Sequence, residues 1–311
     1  MSLSTAPPPK PAAAPQRAQT GIVLMTLAVF GFSLSDATAK WLGEGYSPFQ
    51  IVFLRHVFGM LPAAVFVWRD GGFACLATRR PLAHALRAGL MLVAFVSFVA
   101  GLQGLPLAEA VAISFTAPLF ITALSQPLLG EPVGSRRWGA VLVGFLAMLL
   151  MLRPGTDAFS PHALLVLLSA LAFALAMMLT RRLARSETSA AMAVYTALGG
   201  GLATLPFLPA VWKTPGPVDL TVFVLFGIIG GTAAYVMIAA HRHAPAVVLA
   251  PFNYTALVWA AALGWLIWHE SPVALTWLGA AIIAASGLYI AHREAVVSGR
   301  PRIPARPADE V

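Results

Sequence analysis

Three ionisable residues stand inside or at the edge of long apolar runs near the start of the chain: Asp36, Lys40 and Arg55. A charge in hydrocarbon is expensive, so each such residue marks a functional site until its partner is named. Lys40 follows Asp36 at i+4 and shares its helix face. Arg55 lies about 10 Å into the next run, counting ~1.5 Å per residue from Pro48. That depth resembles the depth of Asp36. The spacing predicts a pair, Asp36–Arg55, for which Lys40 competes. The pair either ties the two runs together or serves as an outer gate or solute contact, with proton coupling through Asp36 a further reading. His56 points about 100° away from Arg55 and reads as a packing residue.

A second constellation follows Pro251: Asn253, Tyr254, Thr255 and Trp259. A proline in a membrane helix frees a carbonyl that Asn or Thr can satisfy. One reading is hydrogen bonding between helices, a common job of polar residues in bundles. The other is a cavity wall, in which Tyr254 and Trp259 stack on a solute and Asn253 fixes a polar group of it.

Ser33, Ser97, Tyr195 and Tyr235 add polar atoms inside other runs, and Met177-Met178 could form an adaptable wall or plain core. Gly199-Gly200-Gly201 and Gly227-x-x-x-Gly231 suit close helix approach. Glu109 reads as an interface residue, and Glu131 and Glu270 as partners for a neighbouring helix start. His241 and His243 alone make a poor metal site, so no metal is expected. The sequence holds no phosphate-binding glycine loop, nucleophile elbow or zinc helix. Neither ATP-driven transport nor an enzyme is expected, and no cofactor is implied.

The elements that must position these residues are membrane spans. Of 311 residues, 59% are hydrophobic and 10% charged, with mean hydropathy +0.81. A soluble domain carries about 25% charged residues. The net charge of +8 is spread in short clusters between apolar runs, which excludes a nucleic-acid interface. The single Cys75 excludes an internal disulfide. Apolar runs recur at roughly 20–40, 48–68, 84–103, 107–128, 138–153, 162–180, 190–211, 219–240, 246–268 and 274–291. Each is near the ~20 residues that cross about 30 Å of hydrocarbon. The fold expected is therefore all-α with ten transmembrane helices. Residues 1–19 and 293–311 read as disordered cytoplasmic tails.

Lys and Arg set the orientation. With both termini inside, sixteen basic residues fall on the cytoplasmic side, Arg87 among them. Lys40, Arg153 and Lys213 are the three outside. Ala37-Thr38-Ala39 mimics a signal-peptidase site, but the run before it is long enough to span and its removal would leave nine spans.

Pro245–Trp277 aligns on Pro106–Trp138 at an offset of 139 without a gap, with seven identities over 33 positions. They include Pro106/Pro245, Thr116/Thr255, Glu131/Glu270 and Trp138/Trp277, which an apolar composition does not supply by itself. A duplication of 20–155 as 160–292 gives five spans per copy, an odd number, so the copies are inverted. Ser114 and Phe115 become the equivalents of Asn253 and Tyr254 across a pseudo-twofold axis. Such an inverted pair places a site near mid-membrane that rocking exposes to either face.

These residues resemble the drug/metabolite transporter superfamily, in particular its tandem EamA-type permeases, over about 20–292. The marks are SDATAKWL and FQIVFLRH, then LPLAEAVAISFTAPLFITALSQPLLGEPVGSRRWGAVLVGF, and APFNYTALVWAAALGWLIWHESPVALTWLGAAII. The resemblance implies ten helices and secondary transport; members export amino acids or carry nucleotide-linked metabolites, S-adenosylmethionine or riboflavin. The second copy has Leu257 where the first has Pro118, and carries Pro251 earlier. Kinks at equivalent positions are therefore not expected.

The combined expectation is a multi-pass carrier of the bacterial cytoplasmic membrane, bathed in lipid, whose partner is a small molecule; a monomer suffices. Amino-acid export comes first, because the expected cavity of Ser33, Ser97, Phe115, Met178, Tyr235, Asn253, Tyr254 and Trp259 holds few charges. Uptake or exchange of S-adenosylmethionine, riboflavin or another nucleotide-like metabolite comes next. A channel or membrane-embedded enzyme is the alternative from another class.

Overall fold

The computed structural model describes residues 14–69, 72–130, 133–153, 160–184 and 186–298. With no water in hydrocarbon to satisfy N–H and C=O groups, a chain this apolar must close its hydrogen bonds within helices. The helices are α1 (Ala14–Gly43), α2 (Pro48–Arg69), α3 (Pro81–Leu102), α4 (Leu107–Ser114), α5 (Ala117–Leu129), α6 (Ser135–Leu152) and α7 (His162–Leu183). They continue as α8 (Ser189–Thr204), α9 (Leu208–Val211), α10 (Pro217–His243), α11 (Ala246–Asn253), α12 (Thr255–Trp268) and α13 (Ala274–Ser298). Counting α4–α5, α8–α9 and α11–α12 as single crossings, ten are long and apolar enough to span a membrane. Prolines sit in the first turn of α3 and α10, where the missing N–H has no intrahelical acceptor to lose. Gly130, at φ 70°, ends α5 in the left-handed conformation that favours glycine. α1 begins at Ala14, inside the stretch read as a tail.

The helix pairings repeat by symmetry. α1 lies along α10 as α7 lies along α3, and α2 meets α10 as α8 meets α3. α1 packs on α11 and α12 as α7 packs on α4 and α5. Three further pairs join equivalent crossings: α2 with α8, α6 with α13, and α4 of the fourth crossing with α12 of the ninth. This is the pattern of two inverted five-span repeats. The α6–α13 pair leans mainly on itself, at one flank of the bundle.

Glycine allows the closest of these approaches. A Cβ on Gly227 would stand 2.5 Å from the Phe58 Cβ and 2.8 Å from the Gly59 nitrogen, so α10 rests directly on the backbone of α2. Gly200 of α8 is likewise pressed against the His56 ring. Both glycine clusters act as packing contacts.

The fourth and ninth spans break at equivalent points, contrary to the expectation drawn from their prolines. α4 ends at Ser114 and α5 begins at Ala117, while α11 ends at Asn253 and α12 begins at Thr255. The shared cause is a threonine. Thr116 Oγ1 donates to the Ile113 carbonyl at 2.8 Å, and its equivalent Thr255 Oγ1 donates to the Phe252 carbonyl at 2.6 Å. A hydroxyl bonded back to a carbonyl of the preceding turn competes with the helical ladder and bends it. Pro118 and Pro251 assist from different registers.

Candidate functional site

A cavity of about 420 Å³ opens between α2, α3, α8 and α10. Arg55, His56, Gly59 and Phe66 line it from α2, and Arg87, Met91 and Phe95 from α3. α8 contributes Met192 and Thr196, and α10 contributes Gly230, Tyr235 and Arg242. Its rim carries the exposed Ser189 and Arg242. Phe66 and Tyr235 form one wall, stacked at 4.1 Å with 9° between their planes.

The cavity is cationic. Arg87 is tied down: its Nε donates to Thr180 Oγ1 at 2.6 Å, and its Nη1 donates to the Met192 carbonyl at 2.9 Å and to Thr196 Oγ1. The Arg55 guanidinium lies 3.9 Å from the Phe95 ring centroid and 5.6 Å from that of Phe226. It makes no hydrogen bond or ion pair to any described residue. Asp36, on α1, senses the charge of Arg55 but stays outside the 4.0 Å of an ion pair. The expected Asp36–Arg55 contact is thus not an ion pair within 4.0 Å among the described residues, although the two charges act on each other, and the guanidinium lies against the Phe95 ring.

Lys40 also has another partner than expected. Its Nζ donates to the Leu105 carbonyl at 2.7 Å and pairs with Glu270, far along the chain in the second half. Glu270 Oε2 accepts from the Leu107 N–H at 2.9 Å. Glu270 therefore caps the start of α4, a helix of the opposite repeat, whose first turn leaves donors open. Its equivalent Glu131 lies outside the described residues.

More bonds between the halves gather at this end. Gln50 Nε2 donates to the Lys213 carbonyl at 2.6 Å, and the Lys213 N–H donates back to Gln50 Oε1 at 2.9 Å. Tyr46 donates to Asp219, and Trp268 Nε1 donates to Glu44 Oε1 at 2.7 Å. Burial, then the hydrogen bond to Asp219, push the Tyr46 phenol up from its ordinary value. The cavity is closed on this side by a latch of cross-repeat bonds. The other end also carries bonds between the halves, as in His84–Glu187 at 3.2 Å and the Tyr195 hydroxyl donating to the Leu76 carbonyl at 2.8 Å, and the cavity opens beside them.

Of the eight residues expected to form a cavity, Tyr235 lines this one. Phe115 and Tyr254 do face each other across the pseudo-axis, with ring centroids 4.7 Å apart. They form a contact between α4 and α12, and the Tyr254 hydroxyl is aimed at Gly287 of α13. Asn253 sits half-buried at the end of α11. Trp259 packs edge-on to Phe30 at 4.8 Å, with its Nε1 buried and unpartnered, as is Ser33 Oγ. Ser97 and Met178 are buried outside the cavity lining.

His56, Arg87, Phe66 and Phe95 were not expected in the lining. Neighbours Arg55 and His56 both reach the cavity because it wraps more than one side of α2. A run starting at residue 84 puts Arg87 in the first turn, near the cytoplasmic end; Pro81 at the first turn of α3 was the available signal of an earlier start. With that start, Arg87 lies about 9 Å inside the helix.

The family model described as the EamA-like transporter family matches twice, at residues 19–153 and 160–291. The chain is 31% identical to an S-adenosylmethionine uptake transporter of Rickettsia prowazekii, over 88% of this chain and 93% of the relative. It is 32% identical to a riboflavin transporter of Rhizobium johnstonii, over 90% and 93% respectively. A pseudopaline exporter of Pseudomonas aeruginosa is 28% identical over 86% and 94%. One crystal structure superposes with TM-score 0.58 at 21% identity, covering 92% of this chain and 99% of that one, a likeness of fold.

Proposed function

The chain belongs to the EamA-like transporter family, and from that premise we propose a secondary carrier that moves an aromatic, nucleotide-like metabolite across the bacterial cytoplasmic membrane by alternating access. The substrate site is the cavity between α2, α3, α8 and α10. With both termini cytoplasmic, as the distribution of Lys and Arg supports, its mouth faces the cytoplasm and the Lys40–Glu270 latch closes the outer side. The observation that carries this reading is a cavity of ligand size, open at one end and closed at the other by bonds between inverted repeats.

The lining supports the choice of substrate. Amino-acid export came first while the cavity was expected to hold few charges. Arg55, Arg87 and Arg242 line it instead, beside the Phe66–Tyr235 stack. A flat ring system of the riboflavin kind suits that wall. S-adenosylmethionine carries a sulfonium cation, which three arginines without a lining carboxylate disfavour. Export of an aromatic amino acid is the second reading, favoured by the same aromatic wall.

Counterflow into proteoliposomes preloaded with riboflavin, tryptophan or S-adenosylmethionine tests the proposal. The expected result is saturable uptake, accelerated by internal solute, with riboflavin ahead of tryptophan and both ahead of S-adenosylmethionine. Flux that neither saturates nor responds to internal solute would mean a channel and overturn it.

A further inference from the structure

Two cavity-lining arginines, Arg55 and Arg242, have no hydrogen bond or ion pair to the described protein; Arg242 is exposed at the rim, and Arg55 is the one set inside its span. Its guanidinium carries five N–H donors in a planar fork, and it stands about 10 Å from the nearer end of its span. A cation at that depth is costly unless something compensates it. The Phe95 and Phe226 rings do so in part, through their faces. They fix the plane of the fork and leave its edge unused. Arg87 differs, since Thr180, Thr196 and the Met192 carbonyl take up its donors. Asp36 is close enough to matter electrically, yet no ion pair forms. Among the described residues, no aspartate or glutamate lines the cavity.

Resting on the cavity as the substrate site, we propose that the Arg55 guanidinium docks an oxyanion, a carboxylate or a phosphate, carried by the transported metabolite. A planar fork with free donors recognises such a group by two parallel N–H···O bonds. Arg87 supplies a fixed second positive charge, and Arg242 at the rim draws anions inward. The Phe66–Tyr235 wall takes the flat body of the same molecule. Selection thus has two parts, an acid at the floor and a ring at the side.

Equilibrium binding to the purified full chain, by calorimetry at constant ionic strength, decides the matter with two matched pairs. Indole-3-acetate is set against indole-3-acetamide, and flavin mononucleotide against riboflavin. The acid of at least one pair should bind about tenfold tighter than its neutral partner. The indole pair alone would identify a carboxylate, the flavin pair alone a phosphate, and both pairs a shared oxyanion site. Arg55→Gln should bring the ratio to within about twofold of unity while neutral probes still bind, and Arg55→Lys should keep part of it. A wild-type ratio near unity in both pairs overturns the proposal, as does an Arg55→Gln protein that keeps the wild-type ratio. If Arg55→Gln fails to fold, the wild-type ratios and Arg55→Lys still decide. Counterflow can persist when these ratios fail, so the carrier reading and the anion reading fall separately.

Discussion

Glu270, in the second repeat, accepts a hydrogen bond from the backbone N–H of Leu107, the first residue of α4 in the other repeat, at 2.9 Å. The same carboxylate pairs with Lys40 of α1. One side chain therefore joins two helices of the first half to the second, at the side of the bundle where the cavity is closed.

Removing that carboxylate should release the closure. Glu270→Gln weakens the Lys40 pair and the cap together, at a cost of roughly 2 kcal/mol in the closed state, about 30-fold in the equilibrium. Maleimide labelling of Phe49→Cys, in a Cys75→Ala background, should become faster in Glu270→Gln. Lys40→Met should act in the same direction. Unchanged labelling in both would show that the network does not hold the outer side shut.

Gly227→Val is predicted to separate α10 from α2. The added Cβ meets Phe58 and the backbone of Gly59, which cannot swing aside as a flexible side chain would. Overpacking of this kind costs about 1–3 kcal/mol. Thermal unfolding in detergent should show the loss, whereas Gly139→Val, with open space around it, should leave the midpoint close to wild type.

Asp36→Asn should strengthen the binding of anions. The carboxylate lies near Arg55 without pairing to it, so it repels any oxyanion that approaches the same guanidinium. Its neutralisation should tighten flavin mononucleotide on the order of fivefold, ~1 kcal/mol, and leave riboflavin within about twofold. Weaker flavin mononucleotide binding would mean instead that Asp36 holds Arg55 in position.

The fold was legible because its determinants are local or periodic. Apolar length yields ten spans, and the 139-residue offset yields the inverted pair. The same offset anticipates Phe115 against Tyr254, since equivalents near the pseudo-axis have to meet. The site was less legible. Lys40 and Asp36 share a helix face, but Lys40 pairs with Glu270 because the packing of α1, α4 and α12 brings that carboxylate nearer. Arg87 was counted on the cytoplasmic side, within the run 84–103; the helix starts three residues earlier, at Pro81, which sets Arg87 deeper and among the cavity-lining residues. Arg55 was singled out by its depth alone, while its partners, Phe95 and Phe226, come from α3 and α10 and leave no mark near position 55. Equivalent breaks without equivalent prolines depended on Thr116 and Thr255, an identity visible in the repeat whose hydrogen bonds were not.

The fifth and tenth crossings, α6 and α13, hold mainly to one another at a flank of the bundle, and α2, α3, α8 and α10 line the cavity without them. That flank is a handle. A rigid fusion, a fiducial or a tether anchored to it would travel with the protein as a passenger and leave the route of the cargo unobstructed.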